Sequence, residues 1–169
     1  MFRDLSDHLP VMRRYAQVLT RNPDAAEELV QEALVRALEG ARTWKVGGDL
    51  RKWLLAIVHN SFVSRRRRER TEAASLEALE DVAAPVPVDQ SDRVHLGQTI
   101  EALMALPVEQ REALVLVAIE GMSYRSAAEI LGIPLGTLMS RLARARETLR
   151  VETGRADGEE NRPRLRLVR

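Results

Sequence analysis

The side chains with the most chemical potential in this sequence are its arginines, and they come in blocks. Five arginines and one glutamate fill Arg65 to Arg70, and Arg141 to Arg150 is basic again. Between them, Thr71 to Asp92 holds six acids and no Lys or Arg. A formal net charge of +1 assembled from such blocks implies separate surfaces for separate partners. Clustered guanidinium groups neutralise backbone phosphates, which gives salt-dependent affinity without choosing a base sequence. Lysine occurs only at Lys45 and Lys52, so the arginine bias reflects nucleotide composition of the source genome more than selection for bidentate contacts.

Other chemistries find little to work with. The absence of cysteine removes disulfides, thiolate metal sites and cysteine nucleophiles together. His8, His59 and His95 are scattered, and no spacing among them resembles a metal site. No acid–base or nucleophile set converges, so the sequence predicts neither an enzyme nor a cofactor. No apolar run approaches the roughly 20 residues that span a bilayer. Met1 to Pro10 carries Asp4 and Asp7 without a continuous apolar core, unlike a secretory signal, so a cytoplasmic protein is expected.

These blocks need elements to position them. At 169 residues the chain fits one ordinary domain or two small ones. Aromatics are only 4%, so a core must rest on Leu, Val, Ile and Ala, which suits packed helices. Leu9, Met12, Ala16 and Leu19 mark a first helix from about Leu5 to Thr20. Asn22 offers a cap and Pro23 a first helical position for a second helix, with Leu29, Val30, Ala33, Leu34 and Leu38 as its apolar stripe. Gly40 stops it. Thr43 to Gly48 reads as a loop. Asp49 caps a third helix that buries Leu50, Trp53, Leu54, Ile57, Val58 and Phe62 and runs on into the arginines.

The acidic stretch with Pro85 and Pro87 reads as a flexible linker, with a short helix possible over Leu76 to Leu79. Beyond it, Ser91 caps a helix that ends near Ala105. Pro107 opens another, which runs to Glu120 and stops at Gly121. Ser123 caps a short helix ending at Leu131 and Gly132, and Pro134 opens a last helix to about Arg150. Helix, glycine-containing turn, helix is the helix-turn-helix pattern, with Ala127, Ala128, Ile130, Leu131, Ile133, Leu138 and Leu142 as its small core. The expected fold is all-α: a three-helix module over residues 1–70, an acidic linker over 71–92, a helix-turn-helix module over 93–150 and a tail over 151–169.

Two regions of the chain carry a family resemblance. The run from Asp24 to Leu34, DAAEELVQEAL, resembles the second conserved region of extracytoplasmic-function (ECF) sigma factors, and Asp49 to Asn60, DLRKWLLAIVHN, their promoter-melting helix. Leu106 to Leu114, Gly121 to Gly132 and Pro134 to Arg146 together resemble region 4 of that family. Phe62, Val63 and Ser64 ahead of the arginines are similar to its general-stress-response subgroup. The resemblance implies a factor that binds core RNA polymerase at its clamp helices and flap. It also implies promoter DNA as a second partner, and a small helical anti-sigma protein as inhibitor, itself removed by a sigma-mimicking response regulator.

It further implies which residues act. Asp24, Glu28, Gln31 and Glu32 would meet the polymerase clamp. Asn60 lies where the family contacts a −10 base, and its amide both donates and accepts, as edge recognition needs. Trp44, beside Lys45 in the glycine-containing loop, would either stack on a base or pack on the module's core. Ser64, Arg65, Arg66, Arg67 and Arg68 extend the same helix along the −10 DNA. Pro134, Gly136, Thr137, Ser140, Arg141 and Arg144 begin the −35 helix, where a helix-turn-helix enters the major groove. Met139 departs from the family, which often has a basic residue there, and Leu135, Leu138 and Leu142 read as core. The main rival is a sigma mimic that sequesters an anti-sigma protein without binding DNA; its fold would not need the basic helix ends.

Overall fold

The structure, a computed structural model, describes residues 2–42, 48–73 and 94–152. Its helices are α1 (Phe2–Thr20), α2 (Pro23–Glu39), α3 (Leu50–Ala73), α4 (Val94–Ala105), α5 (Val108–Leu114), α6 (Tyr124–Leu131) and α7 (Leu135–Glu152). A short 3₁₀ turn, Gly40–Arg42, follows α2, and a π-helical turn, Val115–Ile119, follows α5. No strand occurs among the described residues. The linker beyond Ala73, the proposed Leu76–Leu79 helix, the Ser91 cap and the tail beyond Glu152 lie outside them.

The caps follow the sequence. Asn22 Oδ1 accepts from Ala25 N at 3.0 Å, Asp49 Oδ1 from Lys52 N at 3.0 Å, and Ser123 Oγ from Ser126 N at 3.1 Å. Gly132 closes α6 at φ +63, a left-handed conformation open to glycine at little cost. Arg21 adopts φ +56 at the α1–α2 corner without being glycine. Its guanidinium donates to Leu106 O at 2.9 Å, so the strained corner is tied to the second module.

In the first module Met12, Tyr15, Ala16 and Leu19 of α1 meet Leu29, Val30, Ala33 and Ala37 of α2 and Leu54, Leu55 and Val58 of α3. Burying a side chain such as Leu29 or Leu54 contributes about 1.5–3 kcal/mol. Two expectations shift here. Leu38, placed in the α2 stripe, is 46% exposed, and Ala37 takes the buried position. On α3, Leu50, Trp53 and Ile57 are only half-buried, while Leu55, His59 and Ser61 are buried. The reason is two-sided packing: α1 and α2 cover one side of α3 and α6 covers another.

The second module wraps α4, α5 and α6 around α7, with Ala127, Ala128, Ile130, Leu131, Leu138 and Leu142 buried as the helix-turn-helix core and Ile133 half-buried. Leu135, expected in that core, is 46% exposed at the start of α7. The helix expected from Pro107 to Glu120 is not continuous either. Glu120 N bonds Val115 O at 2.9 Å, one residue beyond helical register, and this π turn re-aims the end of the helix. The two modules close on each other, α1 against α5 and α3 against α6.

Candidate nucleic-acid interface

On α7 the buried residues Leu138, Leu142 and Ala145 turn one face toward α5, and the opposite face is uncovered. Pro134, Gly136, Ser140 and Arg144 are exposed, and Thr137 is half-buried. Ser140 Oγ donates to Thr137 O at 2.9 Å. Arg144 has no ion-pair partner among the described residues. Arg141, expected beside it, is held inward: its Nη1 lies 3.1 Å from Glu112 Oε1 of α5.

On α3, Asn60, Val63, Ser64 and Arg67 recur at i, i+3, i+4 and i+7, so they share one stripe. Asn60, Val63 and Arg67 are exposed and Ser64 is half-buried. The four arginines differ in surroundings. Arg65 pairs with Glu28 at 2.9 Å and Glu69 at 3.2 Å, and these hydrogen bonds, Glu28 foremost, raise its pKa. Arg68 lies 3.3 Å from Glu32. Arg66 sits over the Phe62 ring, 5.7 Å from its centroid. Arg67 has no ion-pair partner among the described residues. Trp44 and Lys45 lie outside the described residues.

Helix α2 therefore gives part of its acidic face to its own chain. Glu28 and Glu32 accept from Arg65 and Arg68, and Glu32 also from Arg36 at 2.7 Å. Asp24 and Gln31 are exposed. Beyond Gln31, Val35 and Leu38 follow at i+4 and i+7, 54% and 46% exposed. An apolar centre with a polar border is the composition of a protein-docking face.

Between the modules lies a set of charges, with Glu120, Arg111 and Glu112 buried and their partners partly exposed, to which the sequence assigned no role. Glu120, at the end of the π turn, is fully enclosed. It accepts from Arg14 Nε at 2.6 Å and Nη2 at 3.0 Å, and from Arg51 at the start of α3. Burial alone would raise its pKa, but the two arginine hydrogen bonds outweigh it and the net shift is downward. Lys52 pairs with Glu129 of α6. Arg111, 2% exposed, donates to Val18 O at 2.6 Å, Leu106 O at 2.7 Å and Met104 O at 3.1 Å. Burial first, and then the charge of Arg21, lowers its pKa to about 10, so it stays protonated at neutrality. Glu112 faces His59 Nδ1 at 3.4 Å as well as Arg141. The phenol of Tyr15, fully buried, is pushed well above its usual pKa by burial and then by Glu112.

No group of three or more metal-ligating side chains occurs among the described residues, and none of their helices is long and apolar enough to cross a membrane. What the surfaces offer is helix faces for duplex and for protein.

Residues 96–149 match the family described as Sigma-70, region 4, and residues 5–59 that described as the Sigma2 domain of PhyR. The chain is 37% identical over 146 residues to the ECF RNA polymerase sigma factor EcfG of Rhodopseudomonas palustris, covering 86% of this chain and 81% of that one. It superposes on the sigma factor RpoE of Bartonella quintana, solved in complex with the anti-sigma factor NepR, with a TM-score of 0.80 and 33% identity over 92% of this chain and 97% of that one. The anti-anti-sigma factor PhyR from the same bacterium, at 18% identity and a TM-score of 0.54 over 88% of this chain and 48% of that one, shares the fold alone. By this identity, spread over both modules, the chain belongs to the ECF RNA polymerase sigma factors.

Proposed function

We propose that this sigma factor acts in a general stress response, holds core RNA polymerase through the outer face of α2, and reads a promoter at two places. In this reading residues 1–70 are region 2, 93–150 region 4, and 71–92 an acidic tether. The carrying observation is that one chain presents two uncovered helix faces of unlike chemistry. Gln31, Val35 and Leu38 form an apolar-centred face suited to protein, with Asp24, Glu28 and Glu32 around it. Gly136, Ser140 and Arg144 form a polar, small-residue face suited to a major groove. Asn60 takes a −10 base edge, Trp44 and Lys45 assist from the preceding loop, and Ser64, Arg66 and Arg67 follow the phosphates. Arg65 and Arg68 join them once polymerase takes Glu28 and Glu32. Pro134, Thr137 and Arg141 support the −35 helix, Arg141 from its seat on Glu112.

The closed arrangement is the resting form in this account, and an anti-sigma protein of the NepR kind stabilises it. A groove of about 700 Å³ between α3 and the second module is lined by Phe62, Val63, Leu131 and Ile133 together with Arg66, Arg67 and Arg70. That composition fits an amphipathic helix with acidic flanks. The factor works in the cytoplasm, where polymerase and promoter are.

Transcription in vitro with core polymerase and a promoter library tests the proposal. Selective initiation from promoters sharing two sequence elements is the expected result. The match of residues 5–59 to the Sigma2 domain of PhyR favours one second reading, a mimic that only sequesters an anti-sigma protein. Binding to core polymerase without initiation at any promoter would favour the mimic instead. Within the sigma reading, Arg67→Ala should weaken promoter binding evenly across sequences and reduce the log–log salt slope by about 1. Arg65→Ala should change it less, because Glu69 keeps a share of that charge after polymerase takes Glu28. Titrations of holoenzyme at several salt concentrations decide this, and equal slopes for Arg67→Ala and parent would contradict it.

A further inference from the structure

Met139 is 52% exposed on α7, and Leu135, one turn before it, is 46% exposed. Neither belongs to the buried face of Leu138, Leu142 and Ala145. Apart from Leu135, the exposed residues nearest Met139 along α7 are small: Gly136, Ser140 and Ala143. A Cβ on Gly136 would meet nothing within 4 Å, so the protein leaves this side of the helix open. We infer that Met139 is a base-reading residue that recognises the C5-methyl of a thymine in the −35 element, with Leu135 as its neighbour. The inference rests on the proposed reading of α7 as the −35 helix.

In the N-terminal half of a recognition helix, outward side chains meet base edges. Gly136, Ser140 and Ala143 let the helix axis approach the groove floor, and a long side chain among them reaches furthest. Arginine or lysine at that position would find the O6 and N7 acceptors of guanine. Methionine has no donor, and its thioether is a weak acceptor. It is unbranched and polarizable, so it adapts to a small apolar target. In the major groove the apolar feature of the four bases is the methyl group of thymine. Arg144 can donate to the polar edges beside it, and Ser140, which donates to Thr137 O, can still accept there.

The test removes that methyl group and nothing else. A promoter selected with the full chain and core polymerase is rebuilt with deoxyuridine replacing thymine at each −35 position in turn, and holoenzyme affinity is measured. At one position the parent should lose about threefold to tenfold in affinity, while Met139→Ala binds the thymine and uracil promoters equally. Reselection with Met139→Arg should move the preference at that base pair toward guanine. Because Met139 is exposed, both variants should keep the parent's helical circular dichroism and melting temperature. The inference is overturned if the parent ignores every thymine-to-uracil replacement while initiating selectively, or if the selected −35 element contains no thymine. If the chain initiates from no promoter, the sigma reading falls and takes this inference with it, which is a different outcome from indifference to the methyl.

Discussion

Glu120→Ala is expected to open the two modules without unfolding either. The carboxylate is fully enclosed and held by Arg14 from α1 and Arg51 from α3. Removing one member of a buried ion cluster typically costs about 3–5 kcal/mol, because its partners are left desolvated and unpaired. The Arg14 and Arg51 side chains are 45% and 35% exposed, so water screens part of that loss. The lower end, about 3 kcal/mol, is the better expectation. One apolar cluster joins the two modules, but each also packs helix on helix within itself, α1 with α2 and α5 with α7, so the loss should appear as separation. Small-angle scattering should show a larger radius of gyration, and hydrogen exchange should rise along α1, the start of α3 and α6. The core amides of α2 and α7 should stay protected. An unchanged scattering curve would mean that other contacts hold the modules together.

The same contact carries a pH dependence with a definite sign. Glu120 titrates below the ordinary glutamate range when closed, so its contribution is complete above that range. It is lost as pH falls through the depressed value. Closed protein should therefore persist at mildly acidic pH and loosen only below it. Glu120→Gln, already weakened by loss of the charge, should show less of this acid step.

The second large effect belongs to Arg111→Ala. The guanidinium joins the C-terminal carbonyls of α1 to the α4–α5 turn, and its Nη2 also lies 3.5 Å from Leu19 O. Truncation orphans the carbonyls of Val18 and Met104, leaves Leu106 O to Arg21 alone, and opens a void among them. Each unsatisfied buried group costs about 1–3 kcal/mol, so a total of roughly 3–5 kcal/mol is expected. In a chain of this size that lowers the melting temperature by about 10 °C. This variant also damages the turn within the second module, so it should lower stability and not merely separate the modules. Arg111→Lys should recover little, since one ammonium cannot reproduce the planar fork. A melting temperature within about 2 °C of the parent would contradict the role assigned to Arg111.

Much of the architecture was legible because it is local. Asn22, Asp49 and Ser123 announce their helices by capping chemistry, and Gly132 announces its left-handed stop. Periodicity was less faithful where a helix is covered from two sides. On α3 the burial of Leu55, His59 and Ser61 follows from α6, which lies more than sixty residues along the chain. The exposure of Leu38 was hidden for a related reason: an apolar residue beside a stripe looks like part of it. The π turn before Glu120 has no sequence signature we recognise. An isolated acid at the end of an apolar run, ALVLVAIE, was the available sign that a buried carboxylate waits for cations.

The site residues divide along the same line. Asn60, Ser140 and Arg144 sit on the faces that helical spacing gives them. Spacing says nothing about which arginine meets which acid, so the pairing of Arg65 with Glu28, Arg68 with Glu32 and Arg141 with Glu112 needed the tertiary structure.

The claim at the centre is that one chain, once open, grips a single duplex with both modules while it holds polymerase. The most direct measurement is initiation by the reconstituted holoenzyme as the distance between the two promoter elements is varied. Inserting about 5 base pairs turns one element by half a helical turn relative to the other. Initiation should then fall to background, although each element alone is intact. Undiminished initiation from the half-turn insertion, or from a promoter stripped of its −35 element, would contradict the account.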